Sequence, residues 1–336
     1  MAGNKHKRGG NQRISLILTV FNEEDSIIPL LTSVSEQTHK PDEVVIVDAG
    51  SQDRTRELIN NFKKANGKKL PIRLIVERGA NIPHGRNVAI KNAKHDLIFS
   101  ADAGTIFEKR WIEKLLKGFN EGCDIAVGEY VPAKPGSLAE EVISTRFPDF
   151  SNVNSGNVIP SNRQAAYRKK VWETVGGFPE ELVRADDNVF FSIARQKGFK
   201  FYFTREAKVY WHTRVKLSTC LRLAFRDSKS EGFFGIIWRQ GRNLLYIFQF
   251  LLLFLLAFSI VASVVINPLA FPIFLIVSSP IFMVEGGLRA YNRTKKPSFF
   301  VHGSVLSFLL FLSHSTGAMV GMIERVFNKQ ERWKVL

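Results

Sequence analysis

Short apolar runs alternate with longer amphipathic segments through the first hundred residues. Ile14–Val20, Glu43–Val47, Ile72–Val76 and Leu97–Asp102 are rich in Ile, Val, Leu and Phe. They are too short for helices and predict buried strands. Between them, helices are expected over Ser26–Gln37, about Arg54 to Lys64, and Val88–Ala93. This alternation predicts an α/β fold with a mostly parallel sheet and right-handed crossovers. Trp111–Phe119 has apolar residues at helical spacing, and Cys123–Gly128, Phe199–Phe203 and Ala207–Tyr210 read as further short strands. Val131–Gly136, with two prolines, reads as a loop, and Thr105 is the expected residue ahead of the Trp111 helix.

The pattern changes beyond Lys216. Over Lys216–Gly235, Leu217, Leu221, Ala224 and Phe225 recur at helical spacing while Lys216, Arg222, Arg226 and Lys229 take other faces. That is an amphipathic helix, suited to a membrane interface or to packing as an ordinary surface helix. Leu244–Ile266 then carries no charge and is long enough to span a bilayer, which takes about 20 apolar residues. Phe299–Ile323 is uncharged apart from two histidines, and Pro268–Val284 is a shorter run interrupted by prolines. The expected organisation is a disordered basic start (1–12), an α/β domain (13–215), an amphipathic interfacial region (216–243), an α-helical membrane region (244–323) and a basic tail (324–336).

Charge sharpens the membrane reading. The 336 residues carry a formal net charge of +16, which suits nucleic acid, an anionic membrane surface or a phosphate-bearing substrate. No aromatic–basic platform marks the α/β part, so nucleic acid is not expected as a partner. Trp238, Arg239, Arg242 and Tyr246 mark the headgroup level before the first span. Arg289, Arg293, Lys295 and Lys296 form a basic loop expected on the cytoplasmic side. The tail (Arg325, Lys329, Arg332, Lys334) is also basic, yet a third full crossing would put it outside. Either the charge rule fails there or Phe299–Ile323 does not simply cross. Two cysteines, Cys123 and Cys220, give no disulfide framework and suit a reducing compartment. The apolar run Ile14–Phe21 is too short for a secretory signal. A multi-pass inner-membrane protein with its α/β domain in the cytoplasm is therefore expected.

Chemistry gathers where the strands end. The first strand runs out near Asn22, the second at Asp48 and the fourth at Asp102, followed by Ala103-Gly104-Thr105. In an open α/β sheet the carboxyl ends of the strands form the ligand crevice. A carboxylate there can orient a sugar ring, hold a metal or cap the next helix. No glycine-rich dinucleotide fingerprint follows the first strand, and there is no phosphate-binding GxxxxGK[ST] loop. A nucleotide would be held by side chains and a metal.

Ile14–Glu24, Val44–Asp53, Gly85-Arg86-Asn87 and Leu97–Gly104, in this order, resemble glycosyltransferase family 2, inverting enzymes of the GT-A fold. The likeness extends to about His212. It implies a nucleotide-sugar donor, UDP- or GDP-linked, with Glu23 and Asp48 at the nucleoside and Thr19 and Phe21 beside them. It puts Arg86, just before a helix, near the diphosphate, and Asp102 and Gly104 at the donor sugar. The family's second Asp is Gly104 here, which puts metal use in doubt. Mg²⁺ or Mn²⁺ would rest on Asp102 and His212, or cationic side chains would replace the metal. Asn162 and Arg163 fall in the floor of the acceptor region. Gly177 and Phe178 belong to Gly176-Gly177-Phe178-Pro179-Glu180, which resembles the family's GGF-x-E turn. In Arg184-Ala185-Asp186-Asp187-Asn188 the resemblance makes Asp187 the general base, with Asp186 available to cap the next helix, Asn188–Lys197. The implied acceptor is lipid-linked or membrane-proximal and offers a hydroxyl. A polyprenyl phosphate is the alternative, since a phosphate is already ionised and needs no strong base. A catalytically lapsed membrane scaffold is a third reading, suggested by Gly104. A processive synthase is disfavoured because no QxxRW element follows Asp187.

Overall fold

The computed structural model describes residues 12–182, 186–212, 216–234 and 243–327. The basic start up to residue 11, Arg184 and Ala185, Arg214, Trp238, Arg239 and Arg242, and the tail cations Lys329, Arg332 and Lys334 lie outside the described residues. The chain divides into two compact units, Met1–Ala133 with Pro148–His212, and Lys134–Phe147 with Thr213–Leu336.

The first unit is an eight-stranded sheet of order β3-β2-β1-β4-β7-β6-β8-β5. The first half is parallel: β1 (Ile14–Val20) lies between β2 (Glu43–Asp48) and β4 (Leu97–Asp102), and β3 (Ile72–Val76) flanks β2. The second half is mixed. In it β5 (Thr105–Phe107), β6 (Ile125–Pro132), β7 (Ala165–Arg168) and β8 (Phe201–Trp211) pair in both senses. Strands β1 and β2 are apolar on both faces because helices cover both. Leu16, Leu18, Val44 and Ile46 join one core with α1 (Ile27–Ser35), α2 (Thr55–Asn66) and α4 (Trp111–Asn120). Ile17, Val45 and Val47 join the other with α3 (Ile82–Asn92) and α7 (Asp186–Gln196). Helix α6 (Lys169–Val175) follows β7, and α5 (Leu138–Ser144) belongs to the second unit.

The structure corrects three local expectations. The two short strands over Phe199–Phe203 and Ala207–Tyr210 are one strand, β8. Gly128 on β6 makes room for it, since a Cβ there would stand 2.2 Å from the Ala207 carbonyl oxygen. Thr105 opens β5 rather than preceding a helix. Helix α3 starts at Ile82, six residues early, so Gly85-Arg86-Asn87 lies inside the helix, not before it. Asn81 caps it by accepting the His84 N–H at 2.9 Å, with Pro83 in the first turn where its missing N–H costs nothing. Gly85 reads as a breaker, but its role is contact. A Cβ at Gly85 would stand 2.3 Å from Thr19 Cγ2, so glycine lets α3 lie against β1.

The second unit holds α5, α8 (Leu217–Phe234), α9 (Asn243–Val265), α10 (Ala270–Phe282), a π-helical turn at Met283–Leu288, α11 (Arg289–Thr294) and α12 (Pro297–Phe327). Val142 and Ile143 of α5 pack with Ala290, Phe299 and Leu306. Ion pairs Lys296–Glu141 at 2.6 Å and Arg146–Glu285 at 2.5 Å fasten the same segment. The Pro268–Val284 run extends to Thr294 as one apolar stretch, because Pro280 is absorbed within α10 and the π turn. Three helical stretches, Ile247–Val265, Ala270–Thr294 and Pro297–Phe327, are long and apolar enough to cross a membrane.

Candidate active site

Parallel pairing decides what meets at the mouth of the sheet. Val20 is in register with Asp48, and Thr19 with Asp102, so both carboxylates flank the end of β1. Their environments differ. Asp48 is fully buried. Its carboxylate accepts the Gly50 and Ser51 N–H groups at 3.0 and 2.9 Å and the Ser51 hydroxyl at 2.5 Å. It shapes its own loop and presents no surface to a ligand. The loop in turn braces the end of β1. Ser51 Oγ accepts the Asn22 N–H at 2.9 Å, Thr55 Oγ1 accepts the Glu23 N–H at 2.7 Å, and Asn22 Oδ1 accepts the Gln52 N–H at 2.8 Å. Asn22 holds a left-handed φ of 55°, which asparagine tolerates. Phe21 projects into solvent beside it, 54% exposed. Glu23 is half-buried, and burial pushes its carboxyl above the usual range despite a hydrogen bond from Ser26, with Asp53, Asp102 and Asp25 adding repulsion. Helix α1 begins at Ile27 with no acid in its first turn; just before it, the Glu23 carboxylate accepts the Ser26 hydroxyl and the Glu24 carboxylate accepts the Arg54 N–H at 3.1 Å.

Asp102 is the centre of the other mouth. Arg86 Nη2 donates to its Oδ1 at 2.7 Å, while Arg86 Nη1 donates to Asp186 Oδ2 at 2.5 Å. One guanidinium thus joins the end of β4 to the start of α7. Arg86 is buried; burial opposes its charge, but Asp186, Asp102 and Asp187 outweigh that and hold it protonated. Asp186 is buried as well, and burial, with repulsion from Asp187 and Asp102, lifts its carboxyl to about 6 against the pull of Arg86. Asp186 is the first residue of α7 and its carboxylate is spent on Arg86, so it does not act as a helix cap. Asp187, the next residue, is half-buried, and its Oδ1 accepts the Asn188 N–H at 2.9 Å.

Arg163 approaches Asp102 from the other side, with Nε 3.7 Å from Oδ2. Its guanidinium stacks 3.8 Å over the Trp211 ring and lies 5.2 Å from the Tyr130 ring. Flanking it, Asn162 and Gln164 are completely buried, and neither amide makes a hydrogen bond among the described residues. Buried amides without partners are costly, about 1–3 kcal/mol each, and are satisfied by water or a hydroxyl-rich ligand. Gly177 and Phe178 serve the arginine. Phe178 is buried with its ring 5.7 Å from the Arg86 guanidinium. Gly177 has a left-handed φ of 90° that glycine accommodates. Asn87 clamps this turn: its Oδ1 accepts the Phe178 N–H and Trp172 Nε1–H, each at 2.8 Å, and its Nδ2 donates to the Phe178 carbonyl and to Glu180, also at 2.8 Å. Asn87 was part of the Gly85-Arg86-Asn87 motif, whereas Tyr130 and Trp211 were not legible as site residues. Only the two-residue period of β8, which puts Trp211 on the face of Ala207 and Val209, hinted at the last.

Gly104 carries a left-handed φ of 78°, and its carbonyl accepts the His212 N–H at 2.9 Å. The turn that would hold a second aspartate thus favours glycine, and it brings His212 beside the Asp102 turn. Among the described residues no three His, Cys, Asp or Glu side chains converge. Both oxygens of Asp102 face guanidinium groups, Oδ1 that of Arg86 and Oδ2 that of Arg163.

A sheet of this topology with acidic strand ends now meets its relatives. The family model described as glycosyl transferase family 2 matches residues 15–206. The chain belongs to glycosyltransferase family 2. It is 30% identical over 189 residues to the O-antigen chain rhamnosyltransferase WbaN of Salmonella anatum, covering 52% of this chain and 58% of that one. It is 27% identical over 228 residues to the glycosyltransferase AglE of Haloferax volcanii, covering 65% and 72%. The match thus spans little more than half of the Salmonella protein's length. The mannosyltransferase PcManGT of Pyrobaculum calidifontis, solved with GDP-Man and Mn²⁺, is similar in fold at a TM-score of 0.58 and 17% identity, covering 95% of this chain and 88% of that one. This family 2 protein has a Rossmann-like GT-A sheet and C-terminal apolar helices.

Proposed function

We propose that this glycosyltransferase moves a sugar, with inversion, from a UDP- or GDP-linked donor to a hydroxyl of a lipid-linked or membrane-proximal acceptor. It works from the cytoplasmic face of a membrane that holds its C-terminal helices. The observation that carries the reading is the Asp102–Arg86–Asp186 bridge. It ties the donor end of β4 to the first turn of α7, so Asp187 stands one residue from a point fixed against Asp102. Asp186 is engaged by Arg86, which leaves Asp187 as the base. Asp187 takes the proton from the acceptor hydroxyl while the oxygen attacks the anomeric carbon, and the bond to the diphosphate breaks on the opposite face. Phe21 offers a ring to the base, and the Glu23 loop, braced by the Asp48 turn, frames the nucleoside. Arg163 faces Asp102 with a guanidinium suited to phosphate oxygens. Asp102 and His212 would hold Mg²⁺ or Mn²⁺, which supplies charge neutralisation for the leaving diphosphate.

The test is transfer by detergent-purified protein with a panel of UDP- and GDP-sugars. Asp187→Asn lowers transfer about 10²–10⁴-fold, the usual worth of a general base, while donor binding persists. Full transfer by that variant would favour a phosphate acceptor, which brings its own charge.

A further inference from the structure

The three apolar stretches of the second unit differ in packing. Of the most apolar window of α12, 44% is buried inside the protein, against 22% for α9 and 24% for the Ala270–Thr294 stretch. Helix α9 ends bare: Val264, Val265 and Ile266 are 84%, 74% and 76% exposed, and three successive residues cover all sides of a helix. Helix α12 exposes Val301, Val305, Met319, Ile323, Val326 and Phe327. At 100° per residue these fall within about 100° of arc, a single stripe along one side.

Helix α8 covers another side of α12. A Cβ on Gly317 would meet the Phe225 carbonyl oxygen at 2.3 Å, and one on Gly321 the Lys229 carbonyl oxygen at 1.9 Å. From the other partner, a Cβ on Gly232 would meet the Ala318 carbonyl oxygen at 2.2 Å. The backbones touch, and the helices run in the same direction. Lys229 and Glu324 close the contact with an ion pair at 2.7 Å. Yet α8 is no membrane span. It carries Arg222, Arg226, Asp227, Lys229 and Glu231, with Arg222 and Arg226 exposed. If α12 crossed a bilayer, the glycine contact would drag these charges into hydrocarbon, where they are strongly disfavoured.

We infer that α12 lies in the plane of the membrane surface, its apolar stripe toward lipid and α8 alongside, and that only the α9–α10–α11 hairpin enters the bilayer. This rests on the membrane reading above. Helix α9 has 23 residues, about 35 Å, and the return arm from Ala270 to Leu288, with Glu285 in its last turn, is about 28 Å at 1.5 Å per residue, together matching a hydrocarbon core of about 30 Å. The hairpin turns at Asn267-Pro268 and returns at the cations Arg289, Arg293, Lys295 and Lys296. Helix α12 then keeps Arg325 on that same side, so both basic stretches obey one charge rule.

Single cysteines test this in the full chain carrying Cys123→Ala and Cys220→Ala. Membranes from expressing cells are prepared as right-side-out and inverted vesicles and treated with a membrane-impermeant maleimide. Arg325→Cys and, independently, Glu324→Cys label in the same vesicle orientation as Lys63→Cys on α2, and Asn267→Cys in the opposite one. Labelling of both α12 cysteines together with Asn267→Cys would overturn the in-plane assignment and leave membrane attachment intact. Recovery of the chain in the supernatant after carbonate extraction would remove the attachment itself.

Discussion

Asp48 and Asp102 end neighbouring parallel strands on either side of β1, and they do different work. Asp48 is sealed, its oxygens taken by the N–H groups and hydroxyl of its own turn. Asp102 is partly open and is held between two arginines that come from elsewhere in the chain. A strand-end carboxylate is therefore not a site by position alone. What separates the two is who satisfies the oxygens: Asp48 is met mainly by its own turn, with Arg56 Nε 3.9 Å away, and Asp102 by side chains from α3 and from the turn before β7.

The largest effect falls on the join. Arg86→Met leaves Asp102 and Asp186 without their buried partner and costs about 3–5 kcal/mol of stability, read as the midpoint shift in denaturant unfolding. A variant as stable as the parent would mean that the bridge does not hold β4 to α7. Next, Asp48→Ala and Asp102→Ala divide the two mouths. Asp48→Ala strands two N–H groups at about 1–3 kcal/mol each, lowers the melting temperature and raises donor KM through the unbraced Phe21–Asp25 loop. Asp102→Ala mainly lowers kcat. Interchanged phenotypes would reverse the assignment. A smaller effect appears with pH. The buried Asp186 carboxyl is raised to about 6, chiefly by desolvation. Below that pH Asp186 takes up a proton and loosens its hold on Arg86, so kcat/KM falls as pH drops through about 6. A flat profile down to pH 5 would remove that contact from catalysis. The smallest is Gly104→Ala, which forces a side chain into a left-handed turn and costs about 1 kcal/mol, measured by thermal melting.

Much of the fold was legible because its signals are local. The strand–helix alternation gave the parallel half of the sheet, and β1 and β3 have the bounds their apolar runs suggest. The start of α3 was hidden, because Gly85 and Pro83 read as breakers while their reasons lie in Thr19 across the sheet and in the cap at Asn81. Within the site, the acids at the strand ends were visible as residue types. Their roles were not, since the partners of Asp102 come from α3 and from the turn before β7. The stacking of Arg163 on Trp211 joins residues 48 positions apart and leaves no mark in either local sequence. Hydropathy was a partial guide in the second unit, where α9 is the more apolar of α9 and α12 and also the less covered.

The short helix α5 is inserted between two strands of the catalytic sheet, yet its Val142 and Ile143 pack with Ala290 and Phe299, and Glu141 and Arg146 are held by Lys296 and Glu285. Anyone trimming the gene after His212 to obtain a soluble enzyme would therefore strip this insert of its cover and expose a greasy flap. A clean excision has to remove Lys134–Phe147 as well and rejoin Ala133 to Pro148 with a new linker.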